Sequence, residues 1–230
     1  GLSDARARLK GVPGFADYRE MLGSAKPDIV AVCPRHADQH RDMVLAAIDA
    51  GAKGIYVEKP FCRSPEEADQ ILAACERSGA KVAVAHRNRY HPALPKVKET
   101  IEGGAIGRLL EFRGRGKEDE RGGGEDLWVL GSHVINLAHF LGGEPVACSA
   151  WVGQGGRAVG RADVTEAKEG LGPLAGDALH ARYDMACGLP FYFDSLRRAG
   201  TKEPNFGLRV IGNAGMIDLR VLKRLADAQV

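Results

Sequence analysis

The chain has 230 residues, of which 44% are hydrophobic and 27% charged, so it can bury a core as one large domain or two small ones. A formal net charge of +2 excludes the strong basic field of a nucleic-acid binder, and no apolar run approaches the ~20 residues that span a membrane. The five cysteines (Cys33, Cys62, Cys75, Cys148, Cys187) are scattered without C-x-x-C spacing and no signal-peptide pattern opens the sequence, which predicts a reducing, cytoplasmic setting with neither a disulfide framework nor a structural zinc.

Residues 27–34, PDIVAVCP, form a β-branched apolar run stopped by Pro34. Its unbroken apolarity predicts a strand covered on both faces. Residues 38–53 predict a helix: Met43, Ala46, Ala47 and Ala50 recur at three and four residues, and Gly51 stands where a C-terminal cap belongs. GIYVEKP (54–60) is a second strand. Residues 64–81 predict a helix with Ser64 as N-cap, Pro65 at its first position, Glu66 and Glu67 at the positive end of the dipole, and Gly79 closing it. KVAVAH (81–86) is a third strand. Strand, helix, strand, helix, strand with short connections specifies a parallel sheet with right-handed crossovers. Ligands of such sheets bind beyond the carboxyl ends of the strands, where the polar segments 33–36, 58–60 and 86–90 lie.

After residue 92 the pattern changes. A helix over 93–107 is followed by longer, alternating strands at 108–117, 145–154, 178–188, 190–198 and 206–221, the last folded at Asn213-Ala214-Gly215. A further helix spans 128–143. Alternating strands in succession predict a mostly antiparallel sheet with one wet face. RGGGEDL (121–127) reads as a flexible loop on composition. The fold class is therefore α/β. A truncated Rossmann-like parallel sheet over 1–92 precedes an α+β domain over 93–230 with an open, mostly antiparallel sheet. The strand and glycine-rich turn that open a dinucleotide domain have no counterpart before residue 27, and GRAVGRAD (156–163) lacks the required flanking elements. A βαβ unit needs ~30 residues or more. The expectation is that the front of the parallel domain is missing and that the chain as written binds dinucleotide poorly.

Several residues admit two readings from chemistry alone. A cation at Lys59 can lower the pKa of a substrate hydroxyl, whereas a Glu58–Lys59 pair at a turn is an ordinary surface feature. His133, on an otherwise apolar helix, has a reference pKa of ~6.5 suited to acid/base work, yet it also fits a core histidine. His36 and His40 have i, i+4 spacing for a metal but no third ligand in register. Arg89 and Tyr90 suit cofactor phosphate, substrate hydroxyls or an interdomain hinge. His139 reads as structural, and the adjacent Glu125 and Asp126 do not form a glycosidase pair.

The segments DIVAVCP…H…AAIDAGAKGIYVEKPF, VAVAHRNRYHPAL and GSHVINLAHFLGG, with the closing GLRVIGNAGMIDLR, resemble the Gfo/Idh/MocA (glucose–fructose oxidoreductase, inositol dehydrogenase, rhizopine catabolism) group of NAD(P)-dependent oxidoreductases over roughly residues 12–221. The resemblance implies a Rossmann-like cofactor domain and a C-terminal domain whose open sheet forms a homo-oligomer, a dimer or tetramer. It implies hydride transfer between NAD or NADP and a sugar, polyol or related hydroxyl or ketone; no metal is expected, because His36 and His40 lack a third ligand. Lys59 and His133 take the catalytic positions. Pro34, His40, Glu58, Lys59 and Arg89 take cofactor-binding positions. The sequence departs from the family's D-x-G-x-H-x-x-D segment at Val129 and Asn136, and compensation for the lost carboxylate would have to come from Glu125 or Asp126 one turn earlier. The competing reading is a non-catalytic homo-oligomeric binding protein that uses the open sheet as its interface, with those two substitutions marking lost chemistry.

Overall fold

The computed structural model describes residues 2–9, 11–198 and 205–221. They form two compact units: Gly1–Ala85 with Glu169–Leu171, and His86–Lys168 with Gly172–Val230. The described residues contain no helix long and apolar enough to cross a membrane.

The first unit opens with two helices, α1 (Leu2–Arg8) and α2 (Tyr18–Ala25), the second capped by Asp17 through the Arg19 amide. Then follow β1 (Ile29–Val32), a 3-10 turn (Ala37–Gln39), α3 (His40–Asp49), β2 (Gly54–Val57), α4 (Pro65–Ser78) and β3 (Lys81–Val84). The strands lie in the order β1-β2-β3, all parallel. Helix α4 is bounded as its residues dictate. The Ser64 hydroxyl accepts from the Glu67 amide at 3.3 Å, and Gly79 takes the left-handed conformation at φ 76°.

Alternation, not two-sided burial, governs these strands. Val30, Val32, Ile55 and Val57 are buried together with Val44, Ala47 and Ile48 of α3 and Ile71 and Ala74 of α4. Ile29 and Tyr56 point the other way and are exposed. The expectation of a strand covered on both faces is thus corrected: among the described residues one face alone is packed by helices. A β-branched run shows that a strand is stable, not how many of its faces find a partner.

The second unit contains α5 (Ala93–Glu102), β4 (Leu109–Arg115), the short turn α6 (Gly124–Asp126), a five-residue π turn (Leu127–Gly131) and α7 (Ser132–Gly142). Next come β5 (Pro145–Gln154), β6 (Arg157–Ala158), a 3-10 turn (Arg161–Asp163) and the two-residue strands β7 (Thr165–Glu166) and β8 (Pro173–Leu174). Strands β9 (Ala178–Met185), β10 (Pro190–Leu196), β11 (Gly207–Gly212) and β12 (Met216–Arg220) complete it. Seven strands form one sheet in the order β12-β11-β4-β10-β9-β5-β6. All its pairs are antiparallel except β4 with β10. Its core joins Phe112, Phe191, Phe193, Leu208 and Val210 of the sheet to Leu94 and Val97 of α5 and Val134, Leu137 and Ala138 of α7. Each such large side chain contributes about 1.5–3 kcal/mol on full burial.

Two expectations change here. The helix read over 128–143 is interrupted, its first turn being the π turn. The segment 121–127 is not a free loop: Gly122 and Gly123 are buried, and a Cβ at Gly122 would lie 2.2 Å from the Arg197 Cα. Gly123 adopts φ +87°, and its Cβ would meet the Gly176 carbonyl oxygen at 2.4 Å. These glycines are required by close backbone approach.

Candidate functional site

The parallel register aligns Val32 of β1, Val57 of β2 and Val84 of β3, so the connections leaving β1 and β2 emerge on one edge of the first unit. The Glu58 amide donates to the Val32 carbonyl at 2.9 Å, extending the ladder by one bond. The Glu58 carboxylate accepts from the Lys59 amide at 3.1 Å. Lys59 is half-buried, and its bond to Pro60 is cis.

His40 lies behind these two connections and is fully buried. Its Nδ1 is 2.7 Å from the Pro60 carbonyl oxygen and its Nε2 is 2.9 Å from that of Pro34. One ring therefore ties the end of β1 to the Glu58-Lys59-Pro60 turn. A neutral imidazole has one N–H for these two acceptors, and an imidazolium has two. Neither nitrogen is left for a metal shared with His36, which is exposed and precedes α3. The described residues contain no cluster of three potential metal ligands.

In the second unit, the 3-10 turn Arg87–Tyr90 packs against α7. The His86 ring stands edge-on to the His133 ring, with centroids 5.7 Å apart and planes at 87°. Ser132, His133 and Asn136 share a face of α7 by three- and four-residue spacing. Three polar atoms in these elements, Asn88 Nδ2, Ser132 Oγ and Asn136 Oδ1, are buried without a hydrogen-bond partner from the described residues. Leaving such a group unsatisfied costs about 1–3 kcal/mol, so a cluster of them marks a place where a polar ligand or solvent completes the bonding. Sequence reasoning singled out His133 and missed Ser132 and Asn88, although one adjoins His133 and the other lies in the polar 86–90 segment.

The remaining candidates occupy other surroundings. The Arg89 guanidinium rests over the Phe140 ring, 5.0 Å from its centroid. His139 meets Glu144 at 2.9 Å. Val129 is buried in the π turn. Asp126 is fully buried, and its Oδ2 accepts from Ser195 Oγ at 2.6 Å and from the Glu118 amide at 3.2 Å. Burial pushes the Asp126 carboxyl above its ordinary range, and the Ser195 hydrogen bond opposes that rise. Its carboxylate holds the loop after β4 to β10, which corrects the idea of Asp126 as a replacement acid in the α7 segment.

Residues 3–86 match the family model GFO_IDH_MocA, described as an oxidoreductase family with an NAD-binding Rossmann fold. This segment is similar to the Gfo/Idh/MocA family. Among curated relatives, levoglucosan dehydrogenase of Pseudarthrobacter phenanthrenivorans is 31% identical over 164 residues, covering 64% of this chain and 41% of the relative. D-apiose dehydrogenase of Paraburkholderia graminis is 31% identical over 163 residues, 65% of this chain and 42% of the relative. The chain thus spans less than half the length of these relatives. The solved structure of levoglucosan dehydrogenase in complex with NADH and levoglucosan superposes with a TM-score of 0.73 at 25% identity, over 94% of this chain and 60% of that one. The myo-inositol 2-dehydrogenase of Lactobacillus plantarum, at 19% identity and a TM-score of 0.71, covers 94% of this chain and 64% of its own and shares the fold.

The family model that residues 3–86 match is described as NAD-binding. The donor set on the edge of the first unit fits it: the Lys59 ammonium and Arg35 guanidinium suit phosphate or ribose oxygens, and the Glu58 carboxylate suits ribose hydroxyls.

Proposed function

We propose that this chain is the working part of an NAD(P)-dependent dehydrogenase that acts on a sugar, polyol or related hydroxyl or ketone. In this reading 1–92 is the partial dinucleotide-binding domain and 93–230 the substrate and oligomerisation domain. Pro34, Glu58, Lys59 and Arg89 hold the cofactor, with His40 fixing the carbonyls of Pro34 and Pro60 from behind. The bound nicotinamide supplies the hydride acceptor or donor. Lys59 polarises the substrate oxygen, which lowers the cost of the developing alkoxide. His133 takes the hydroxyl proton as general base or returns it as general acid. Ser132, Asn136 and Asn88 bond the remaining hydroxyls of the substrate. The open face of the seven-stranded sheet, where Val146 and Trp151 are exposed, serves a homo-oligomeric interface.

The observation that carries this reading is the set of buried polar atoms at Asn88, Ser132 and Asn136, without a hydrogen-bond partner among the described residues, beside the His86–His133 ring pair. A polyhydroxylated molecule supplies the alternating donors and acceptors such a set needs. The test is steady-state turnover of a panel of sugars and polyols with NAD and NADP. Lys59→Ala and His133→Ala in the intact protein are each expected to lower kcat/KM by about 10²–10⁴ while leaving the oligomer mass unchanged. Full turnover in both variants would remove the mechanism.

A further inference from the structure

Glu169–Leu171, between β7 and β8, are grouped with the first unit, although β7 and β8 themselves are grouped with the second. Three separate contacts converge there on residues 35–38, the connection that leaves β1 toward α3. The Ala37 amide donates to the Glu169 carbonyl oxygen at 2.9 Å. Arg35 donates to Glu169 Oε1 through Nε at 3.1 Å and Nη2 at 2.6 Å. Gly170, at φ +68°, lies so close to Asp38 that a Cβ would sit 2.5 Å from its Oδ1.

The cost of this arrangement is visible in the backbone. Glu169 is a non-glycine residue at φ 59°, and its carboxylate is almost entirely buried while the Arg35 side chain is 74% exposed. A residue held in that backbone region costs on the order of 1–3 kcal/mol and persists where its surroundings over-determine it. Leu171 is also buried, and the Ala167 amide closes the tip by donating to the Gly172 carbonyl at 3.0 Å. The clamped connection is the one whose Pro34 carbonyl is held by His40. The connection is therefore tied at Pro34 by His40 and at Arg35 and Ala37 by Glu169, at the carboxyl edge where parallel sheets bind ligands.

We propose that Glu169 is a positioning residue, and that the segment Glu169–Leu171 is a clamp that fixes the β1–α3 connection for dinucleotide binding. The proposal rests on the dehydrogenase reading for its ligand but not for its geometry. A binding loop already fixed before the ligand arrives loses less conformational freedom on binding, which raises affinity.

The test uses hydrogen exchange at the Ala37 amide and NADH titration in the intact protein. Glu169→Ala is expected to speed Ala37 exchange about tenfold and to raise the NADH Kd and KM about tenfold, the equivalent of ~1.4 kcal/mol, with kcat changed less than twofold. Glu169→Gln keeps an acceptor for Arg35 and is expected to recover most of the affinity. Gly170→Ala, which strains the left-handed backbone of the tip at φ +68°, should reproduce both effects should Glu169→Ala fold poorly. Unchanged Ala37 exchange in Glu169→Ala and Gly170→Ala overturns the clamp. Faster exchange with unchanged NADH affinity, or a lower Tm with no change in Kd, overturns the positioning role. If the unaltered protein binds no NADH, the dehydrogenase reading fails, while Ala37 exchange still decides the clamp.

Discussion

Ser195 donates its hydroxyl proton to Asp126 across 2.6 Å inside the second unit, and the same hydroxyl oxygen accepts from the Gly123 amide at 3.0 Å. The Asp126 Oδ1 has no hydrogen-bond partner among the described residues. This asymmetry makes the carboxyl group a titration site with a predictable sign. Its folded pKa is raised above the ordinary 3.8, chiefly by burial. The group's favourable contribution is fully present below 3.8 and is lost as pH rises through the folded value. Asp126→Asn keeps an oxygen for Ser195 and Glu118 and removes the charge. It should stay within about 1 kcal/mol of the parent at pH 7 and flatten the pH dependence of urea unfolding above about pH 4. Asp126→Ala strands two donors and should cost about 1–3 kcal/mol for each.

Gly122 offers a steric test of the segment 121–127. A methyl group there overlaps the backbone of Arg197, which has no flexible end to move aside. Gly122→Ala should destabilise by about 2–4 kcal/mol in thermal unfolding. Gly23, inside α2 with nothing within 4 Å of its Cβ position, is the control. Gly23→Ala should stabilise by about 0.5–1 kcal/mol. Equal behaviour of the two variants would show that 121–127 is loose.

The ring of His40 joins two connections through the Pro34 and Pro60 carbonyls. His40→Ala removes the donor and leaves a cavity beside both acceptors, and a loss of about 3–5 kcal/mol is expected in urea unfolding. His40→Gln, with one amide nitrogen, should recover part of it. A loss below about 1 kcal/mol would mean that the tie carries little.

Asn136 separates stability from function. Its Oδ1 is buried and unpartnered among the described residues, so replacement by an apolar residue of similar volume removes a desolvation cost. Asn136→Leu should unfold at a higher temperature, gaining about 1 kcal/mol, while KM for the sugar or polyol rises at least about tenfold. A less stable variant with an unchanged KM would argue that Asn136 is bonded to neighbouring structure and faces no substrate.

The parallel half was legible because each signal was local. Pro34 and Pro60 stop strands, Ser64 caps a helix within four residues, and the valines of β1 and β2 lie in short unbroken runs. The strands read over 145–154 and 190–198 were legible for the same reason and are found at Pro145–Gln154 and Pro190–Leu196. What escaped depends on partners distant in sequence. Glu169 acts on Arg35, 134 residues away, from a tip whose flanking strands are two residues long and carry no periodicity. Gly122 and Gly123 look flexible until the backbone of residues 176–197 closes on them. His40 was grouped with His36 by spacing, whereas its bonds run to two prolines that no helical period connects. In the candidate site His133 stood out as a titratable group on an apolar helix. Asn88 and Ser132 did not, since an unpaired amide or hydroxyl is visible only once its neighbours are packed.

The strand order has a consequence for biosynthesis. In the first unit β1, β2 and β3 lie side by side in the order in which a ribosome delivers them, so each can dock as it emerges. In the second, β4 is delivered earliest yet sits between β10 and β11, two of the last. Until those arrive, Phe112 has no sheet neighbours to cover it, and the nascent chain carries an unzipped, sticky segment through most of translation. Chaperone dependence, ribosome-stalling sensitivity and inclusion-body formation should therefore track the second unit, and a permutation that starts the chain at β9 should relieve them.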